Sequence, residues 1–323
     1  MKTALKPAII LFVYARLHHT MRTVEALINN HGAIDHDLIV YSDAARGVHD
    51  AHLVESVRKY IGKISGFKRV ILRFRESNYG LSHSIISGVS EALLDYEEVI
   101  VLEDDLVTSP YFLQYMTNGL CMYKNQNKVV SIHGYMYPVK SQLPEVFFLR
   151  GADCWGWATW RRGWAMFNVD GQYLLDELRK KKLTHQFDFQ GVYKYTQMLE
   201  DQINGKNDSW AIRWHASAFL ANKLTLYPGR SLVNNIGNDS SGTHCGTTTE
   251  LDVELSTRPV CLQNVIVEES VVATKAVQDF FQSKRTSLQR IILPLIPHAI
   301  NRKLIDFIKN SLPSAMVAWL RRF

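Results

Sequence analysis

The chain has 323 residues, of which 46% are hydrophobic and 21% charged, so a large packed core is available and a disordered chain is excluded. The formal net charge of +6 suits anionic phosphate partners or an anionic membrane surface and does not force a nucleic-acid reading. Four cysteines, Cys121, Cys154, Cys245 and Cys261, are spread without a CxxC pair, which argues against a zinc site or a disulfide framework and for a reducing, cytoplasmic setting.

The opening MKTALKPAIILFVYARLHH carries a short apolar run that leads straight into Tyr14, Arg16 and two histidines. It is too short for a leader or a membrane span and reads as a first buried strand, Ala8 to Tyr14. His18 to Asn30 follows with Met21, Val24, Leu27 and Ile28 at helical spacing. Strands are predicted at Asp37 to Tyr41, Arg69 to Phe74 and Glu98 to Leu102, alternating with helices over Val48 to Ile64 and Gly80 to Leu94. Alternation of this kind implies βαβ units and a mostly parallel sheet, with ligands beyond the carboxyl ends of the strands. That rule singles out Tyr14 to Arg16, Ser42-Asp43, Arg75 to Leu81 and Glu103 to Asp105. Ser109 and Pro110 have the chemistry of an N-cap and a first helical residue, and Val129 to His133 is a further strand. After Gly151 the pattern turns to aromatic clusters and Gly/Asn/Ser punctuation. The expected organisation is a nucleotide-binding half (1–125), an acceptor-binding and catalytic half of the same domain (126–275) and a basic helical tail (276–323).

Glu103, Asp104 and Asp105 end the strand VIVL. Three adjacent carboxylates repel one another at a buried strand end, and a divalent cation resolves that conflict. Mg²⁺ or Mn²⁺ takes such oxygens and commonly bridges a diphosphate. The plainer alternative is a solvated acidic turn.

The run EEVIVLEDDLVTSPYFLQYM resembles the metal-binding segment of GT-A glycosyltransferases, nearest to the N-acetylglucosaminyltransferase I branch and to bacterial family-2-like sugar transferases of surface polysaccharides. IILFVYARLHHTMRTVEAL, GADCWGWATWRRGW, NDSWAIRW and YPGRSLVNNIGNDSSGTHC are similar to the donor-binding, acceptor-side, catalytic and closing segments of those enzymes. The resemblance implies a GT-A-like, Rossmann-like α/β fold with a mostly parallel sheet flanked by helices. It also implies a nucleotide-sugar donor, with UDP as the nucleotide, and a saccharide or lipid-linked saccharide acceptor. Asp105 looks like the direct metal ligand, with Glu103 and Asp104 touching the donor. Tyr14 and Arg16 would line the nucleotide pocket, and Asp43 resembles the acid that reads a base edge. Asp208 resembles the general base, but Ser209 stands between it and Trp210, so Asp201 or Glu200 competes for that role. His244 is either a second metal ligand or an ordinary loop histidine.

Trp155, Trp157, Trp160 and Trp164 fall close together with Arg161 and Arg162 among them. Sugars stack on aromatic faces and arginines hold anions, so Asp153, Trp155, Trp157 and Arg161 are candidate sugar or acceptor contacts, although core packing accounts for many tryptophans. The tail joins apolar positions to Lys284, Arg285, Arg290, Arg302, Lys303, Lys309, Arg321 and Arg322, with prolines at 294, 297 and 313. It reads as short amphipathic helices for the inner face of an anionic membrane, or as a packed helical cap. Two rival readings are a sugar-phosphate nucleotidyltransferase and a non-catalytic carbohydrate-binding protein on a membrane. The first expects a glycine-rich loop where this chain has YARLHHTM.

Overall fold

The computed structural model describes residues 6–239, 248–262 and 265–284. The chain divides into two compact units, Met1–Gln278 and Asp279–Phe323. The predicted tail therefore lies almost wholly outside the described residues, as does His244. Among the described residues no helix is long and apolar enough to cross a membrane.

The first unit is an α/β sandwich of the Rossmann-like kind. β1 (Ala8–Val13), α1 (Leu17–Ile28), β2 (Asp37–Ser42), α2 (Val48–Ile61), β3 (Arg69–Phe74), α3 (Gly80–Asp95) and β4 (Glu98–Glu103) follow one another as the apolar periodicity predicts. Beyond them come β5 (Leu106–Thr108), α4 (Phe112–Tyr123), β6 (Val129–His133), β7 (Val146–Arg150), β8 (Trp157–Trp160) and α5 (Arg161–Trp164). Then follow α6 (Gly171–Lys180), α7 (Thr184–Phe187), α8 (Tyr195–Ile203), α9 (Trp210–Leu220), β9 (Leu224–Pro228), β10 (Val233–Asn235) and α10 (Val271–Ser283).

The main sheet has eight strands in the order β3-β2-β1-β4-β8-β6-β9-β7. β1 pairs parallel with β2 and β4, β2 with β3, and β6 with β9. β8 runs antiparallel to both β4 and β6, so those two point the same way, and β7 is antiparallel at the edge. The chain moves outward from β1 to β3 and then crosses to β4 on the other side of β1. This reversal opens a crevice at the carboxyl ends of β1 and β4.

β1, β2 and β4 are buried almost throughout, which is why they read as continuous apolar runs, whereas β3 at the sheet edge is partly exposed. Ile9, Leu11 and Val13 pack with Val24 and Leu27 of α1, Val57 and Ile61 of α2, and Phe112 and Met116 of α4. Ala8, Ile10 and Phe12 face Ile85, Val89 and Leu93 of α3 and Trp210 and Trp214 of α9. Each such side chain contributes about 1.5–3 kcal/mol when removed from water. A third cluster packs Leu174, Leu175 and Leu178 of α6 with Phe187, Leu199, Ile212 and Phe219.

Two local expectations change. The segment from Trp157 is not an acceptor loop but the central strand β8, wedged between β4 and β6. Ser109 caps only the turn ahead of α4, which begins at Phe112: its hydroxyl accepts the Tyr111 N–H at 3.3 Å. Its hydroxyl donates to the Ser256 carbonyl at 2.6 Å, and the Leu113 N–H is met instead by Asn30 Oδ1 at 2.9 Å, from the end of α1. A cap supplied by a distant element leaves no local trace in sequence.

Candidate active site

The crevice between β1 and β4 gathers charge. Arg16, just past β1, donates through one guanidinium nitrogen to Asp104 and, at 2.8 Å, to Asp105 Oδ2. Burial works against the Arg16 charge, but the two carboxylates outweigh it and raise its pKa further. Burial pushes Asp104 upward against the pull of Arg16. Burial, with Asp105 and Asp104 adding repulsion, pushes Glu103 up to about 8. Asp104 Oδ2 is buried and has no hydrogen-bond partner. Backbone contacts fix the turn: Thr23 donates to the Asp104 carbonyl at 2.9 Å, and the Ile236 N–H donates to the Asp105 carbonyl at 2.8 Å.

That last contact comes from the small sheet in which β10 pairs antiparallel with β5, setting Asn235 opposite Leu106. It lays Gly237 directly over the triplet. A Cβ at Gly237 would collide with Asp105 Oδ2 and stand 3.0 Å from Arg16, so any larger residue there displaces those two side chains. Next along, Asp239 meets His19 Nε2 at 3.1 Å. The segment to 239 thus roofs the crevice. Residues 240–247, with His244, lie outside the described residues.

Divalent metal is the group this chemistry suits. Among the described residues no three His, Cys, Asp or Glu side chains are gathered to hold an ion by themselves. Mg²⁺ is ordinarily held by one or two carboxylates with water and substrate phosphate completing its shell, and Asp104 with its unmet oxygen and Asp105 fit that pattern. In the structure the same carboxylates are neutralised by Arg16.

Tyr14 and Asp43 border the crevice. The Tyr14 hydroxyl donates to Asp50 Oδ2 at 2.7 Å and accepts from the Arg46 N–H at 3.1 Å. Burial and then the bond to Asp50 raise its pKa. Asp43 does not present a free edge to a base. Its Oδ1 accepts from the Ala44 and Tyr79 N–H groups at 2.9 and 2.8 Å, and Oδ2 from Gly80 N–H and Asn78 Nδ2 at 2.9 and 3.2 Å. All four acceptor positions are used in fastening the start of α3 to β2.

The remaining sequence candidates separate. Asp208 is exposed just before α9, whose N-cap is Ser209, with Arg213 as an electrostatic partner. Asp201 is a surface ion pair on α8, 3.1 Å from Lys206 Nζ and 3.0 Å from Gln197 Nε2, and Glu200 pairs with Arg179 at 2.8 Å. Both acids are thus engaged in side-chain pairs on or beside α8. Trp157 is buried among Trp164, Trp210 and Trp214 at centroid distances of 5.7, 5.5 and 5.8 Å, so it is core and not a sugar platform. Arg161 bonds the Leu93 carbonyl at 2.6 Å and pairs with Glu97 at 2.8 Å, closing the end of α3. Trp160 lies opposite Glu98, so Arg161 stands at the amino end of β4, about 17 Å of strand from Glu103. Trp155 is half-buried, its ring 4.7 Å from that of Tyr135.

Asp153 is within reach of the crevice. Trp157 pairs with Val101, so the residues ahead of β8 run to the carboxyl end of β4, and burial, then Asp153, Glu103 and Asp105, push the half-buried Cys154 thiol up. Sequence reading missed what surrounds Asp153: His133, Tyr137, Tyr193, Tyr195 and Tyr227. The available signal was the strand-end rule, since His133 is the last residue of β6. The segment with Gly237 and Asp239 reads in sequence as a closing segment, but the pairing of Asp239 with His19 was missed.

The fold and crevice define an α/β protein with an anion-managing site at a sheet switch point. No protein-family model and no curated protein matches the chain. Among solved structures it is similar to S. aureus TarS, at 14% identity and a TM-score of 0.31 over 46% of this chain and 25% of that one. It is also similar to the mannosyltransferase PcManGT from Pyrobaculum calidifontis, solved in complex with GDP-Man and Mn²⁺. That likeness has 11% identity and a TM-score of 0.36, over 67% of this chain and 70% of that one. The chain thus spans a quarter of the length of TarS.

Proposed function

We propose that this chain is a glycosyltransferase that holds a nucleotide-sugar at the β1/β4 crevice and passes its sugar to a hydroxyl of a saccharide or lipid-linked saccharide. The observation that carries this reading is the acidic triplet Glu103–Asp105 at the topological switch point, with Arg16 bridging its buried members Asp104 and Asp105 and Gly237 over Asp105. Such a site is built to handle a diphosphate rather than to pack a core. Arg16 is permanently charged and placed to meet phosphate oxygens. Asp104 and Asp105 would hold Mn²⁺ or Mg²⁺, which supplies positive charge against the leaving diphosphate. The roof segment excludes water and so limits donor hydrolysis. Direct attack by the acceptor oxygen inverts the anomeric centre. The resemblance of the acidic segment to the N-acetylglucosaminyltransferase I branch puts UDP ahead of GDP. The basic tail, read from sequence alone, suits a lipid-linked acceptor at an anionic inner membrane face.

The experiment is release of free nucleotide from UDP-, GDP-, CDP- and dTDP-sugars with Mn²⁺ or Mg²⁺, followed by chromatography. Turnover of one donor class is expected. Binding of a saccharide without turnover of any donor would favour the non-catalytic carbohydrate-binding reading.

A further inference from the structure

Asp153 lies between β7 and β8, partly open to solvent. Its Oδ1 accepts the Cys154 N–H at 2.8 Å. Three groups converge on its Oδ2: the hydroxyls of Tyr137 and Tyr227, each at 3.4 Å, and His133 Nε2 at 3.7 Å. These distances exceed the usual 2.7–2.8 Å of an O–H···O bond. His133 is fully buried, and neither of its ring nitrogens has a hydrogen-bond partner. Burial lowers its pKa, which keeps the imidazole neutral. Burial and then Asp153 raise the Tyr227 and Tyr195 hydroxyls, which stay protonated. A buried neutral imidazole facing a carboxylate oxygen at this range calls for a polar group that bonds both. A hydroxyl does so, donating to Oδ2 and accepting from Nε2–H.

The surroundings specify whose hydroxyl. Tyr137 and Tyr227 flank Asp153, and Tyr195, with Tyr193 against it, stacks on His215, which bonds the Ala152 carbonyl at 2.7 Å; this is an aromatic lining suited to the C–H faces of a neutral sugar. Trp157 pairs with Val101 of β4 and with His133 of β6, so Asp153, just ahead of β8, lies at the carboxyl ends of those strands, the same end as the acidic triplet.

We propose that Asp153 receives the proton of the attacking acceptor hydroxyl, in a neutral-sugar subsite where His133 and Tyr227 hold that hydroxyl. This rests on the glycosyl-transfer reading. The hydroxyl oxygen bonds to the anomeric carbon while its proton passes to Asp153 Oδ2. The bond from the anomeric carbon to the phosphate oxygen breaks, and its electron pair leaves on the nucleoside diphosphate. Asp208, beside Arg213 ahead of α9, then serves α9 and not the chemistry.

Two readouts on the full chain test this. Saturation-transfer NMR follows the methyl glycosides of glucose, galactose, mannose and N-acetylglucosamine. Wild type is expected to bind at least one of them, with binding weakened threefold or more in Asp153→Asn and in Tyr227→Phe, which removes a single oxygen. Donor turnover with those glycosides is expected to fall about 100-fold or more in Asp153→Asn, the size of a lost general base, with nucleotide binding retained. Asp208→Asn should lose less than tenfold. No glycoside binding to folded wild type, binding unchanged in both variants, or a greater loss in Asp208→Asn than in Asp153→Asn overturns the proposal. Turnover absent from wild type while glycoside binding depends on Asp153 would sink the transfer reading and with it the proton role, leaving a sugar-binding site.

Discussion

The donor crevice and the Asp153 subsite are neighbours at one end of the sheet, yet they are built in opposite ways. The crevice concentrates charge, Asp104 and Asp105 against Arg16 with Glu103 protonated beside them, and the charged members follow directly on the parallel strands β1 and β4. The subsite has a single carboxylate amid neutral aromatic and imidazole groups, drawn from β6, β9, the β7–β8 connection and the loop before α8. Charge compensation therefore governs the first region, and desolvation with hydrogen bonding governs the second. One suits an anionic diphosphate and the other an uncharged sugar.

The comparison can be broken most forcefully at its tryptophan support. Trp157→Ala is expected to cost about 3–5 kcal/mol of stability, because a buried indole between β4 and β6 is lost. Urea unfolding would check this, and a cost near zero would mean that β8 does not carry the sheet. Gly237→Ala should weaken nucleotide binding tenfold or more, about 1.4 kcal/mol, through collision with Asp105 and Arg16, while sugar binding at Asp153 is kept. Calorimetry with UDP and NMR with the glycosides would show whether the two regions separate. Arg161→Ala should cost about 1 kcal/mol through its lost carbonyl bonds and leave nucleotide binding unaffected, since it lies at the other end of β4.

The smallest effect is in pH dependence, and its sign differs between regions. Glu103 is raised from 4.5 to about 8 by burial and its neighbours, so the folded state holds its proton and loses stability as pH rises through that window. Glu103→Gln should gain on wild type between pH 5 and 8. His133 and His215 are lowered from 6.5 by burial. Their stabilising share is present above about pH 6.5 and is lost as pH falls below it. His215→Gln should therefore flatten the acid side of the melting-temperature profile.

The first half was legible because β1, β2 and β4 are buried on both faces and each helix has one apolar face, while the partly exposed edge strand β3 still reads from its run Val70–Leu72. The acidic triplet was legible for the same reason, as charge at the end of an apolar run. What surrounds Asp153 was not. His133 and Tyr227 are far apart in sequence and meet only because β6 pairs with β9. Trp157 and Arg161 misled because aromatic and basic residues serve a sheet interior and a helix end as readily as a sugar. Asp43 misled because its donors from beyond its own turn, the Tyr79 and Gly80 N–H groups and the Asn78 side chain, come from a segment far along the chain.

The most direct test of the central claim is thermal shift of the purified full chain with UDP, GDP, CDP and dTDP, each with and without Mn²⁺, beside Asp105→Ala. The account predicts that one nucleotide with Mn²⁺ stabilises wild type and that the shift is lost in the variant. Folded wild type that no nucleotide stabilises, or a full shift that persists without Asp105, would contradict it.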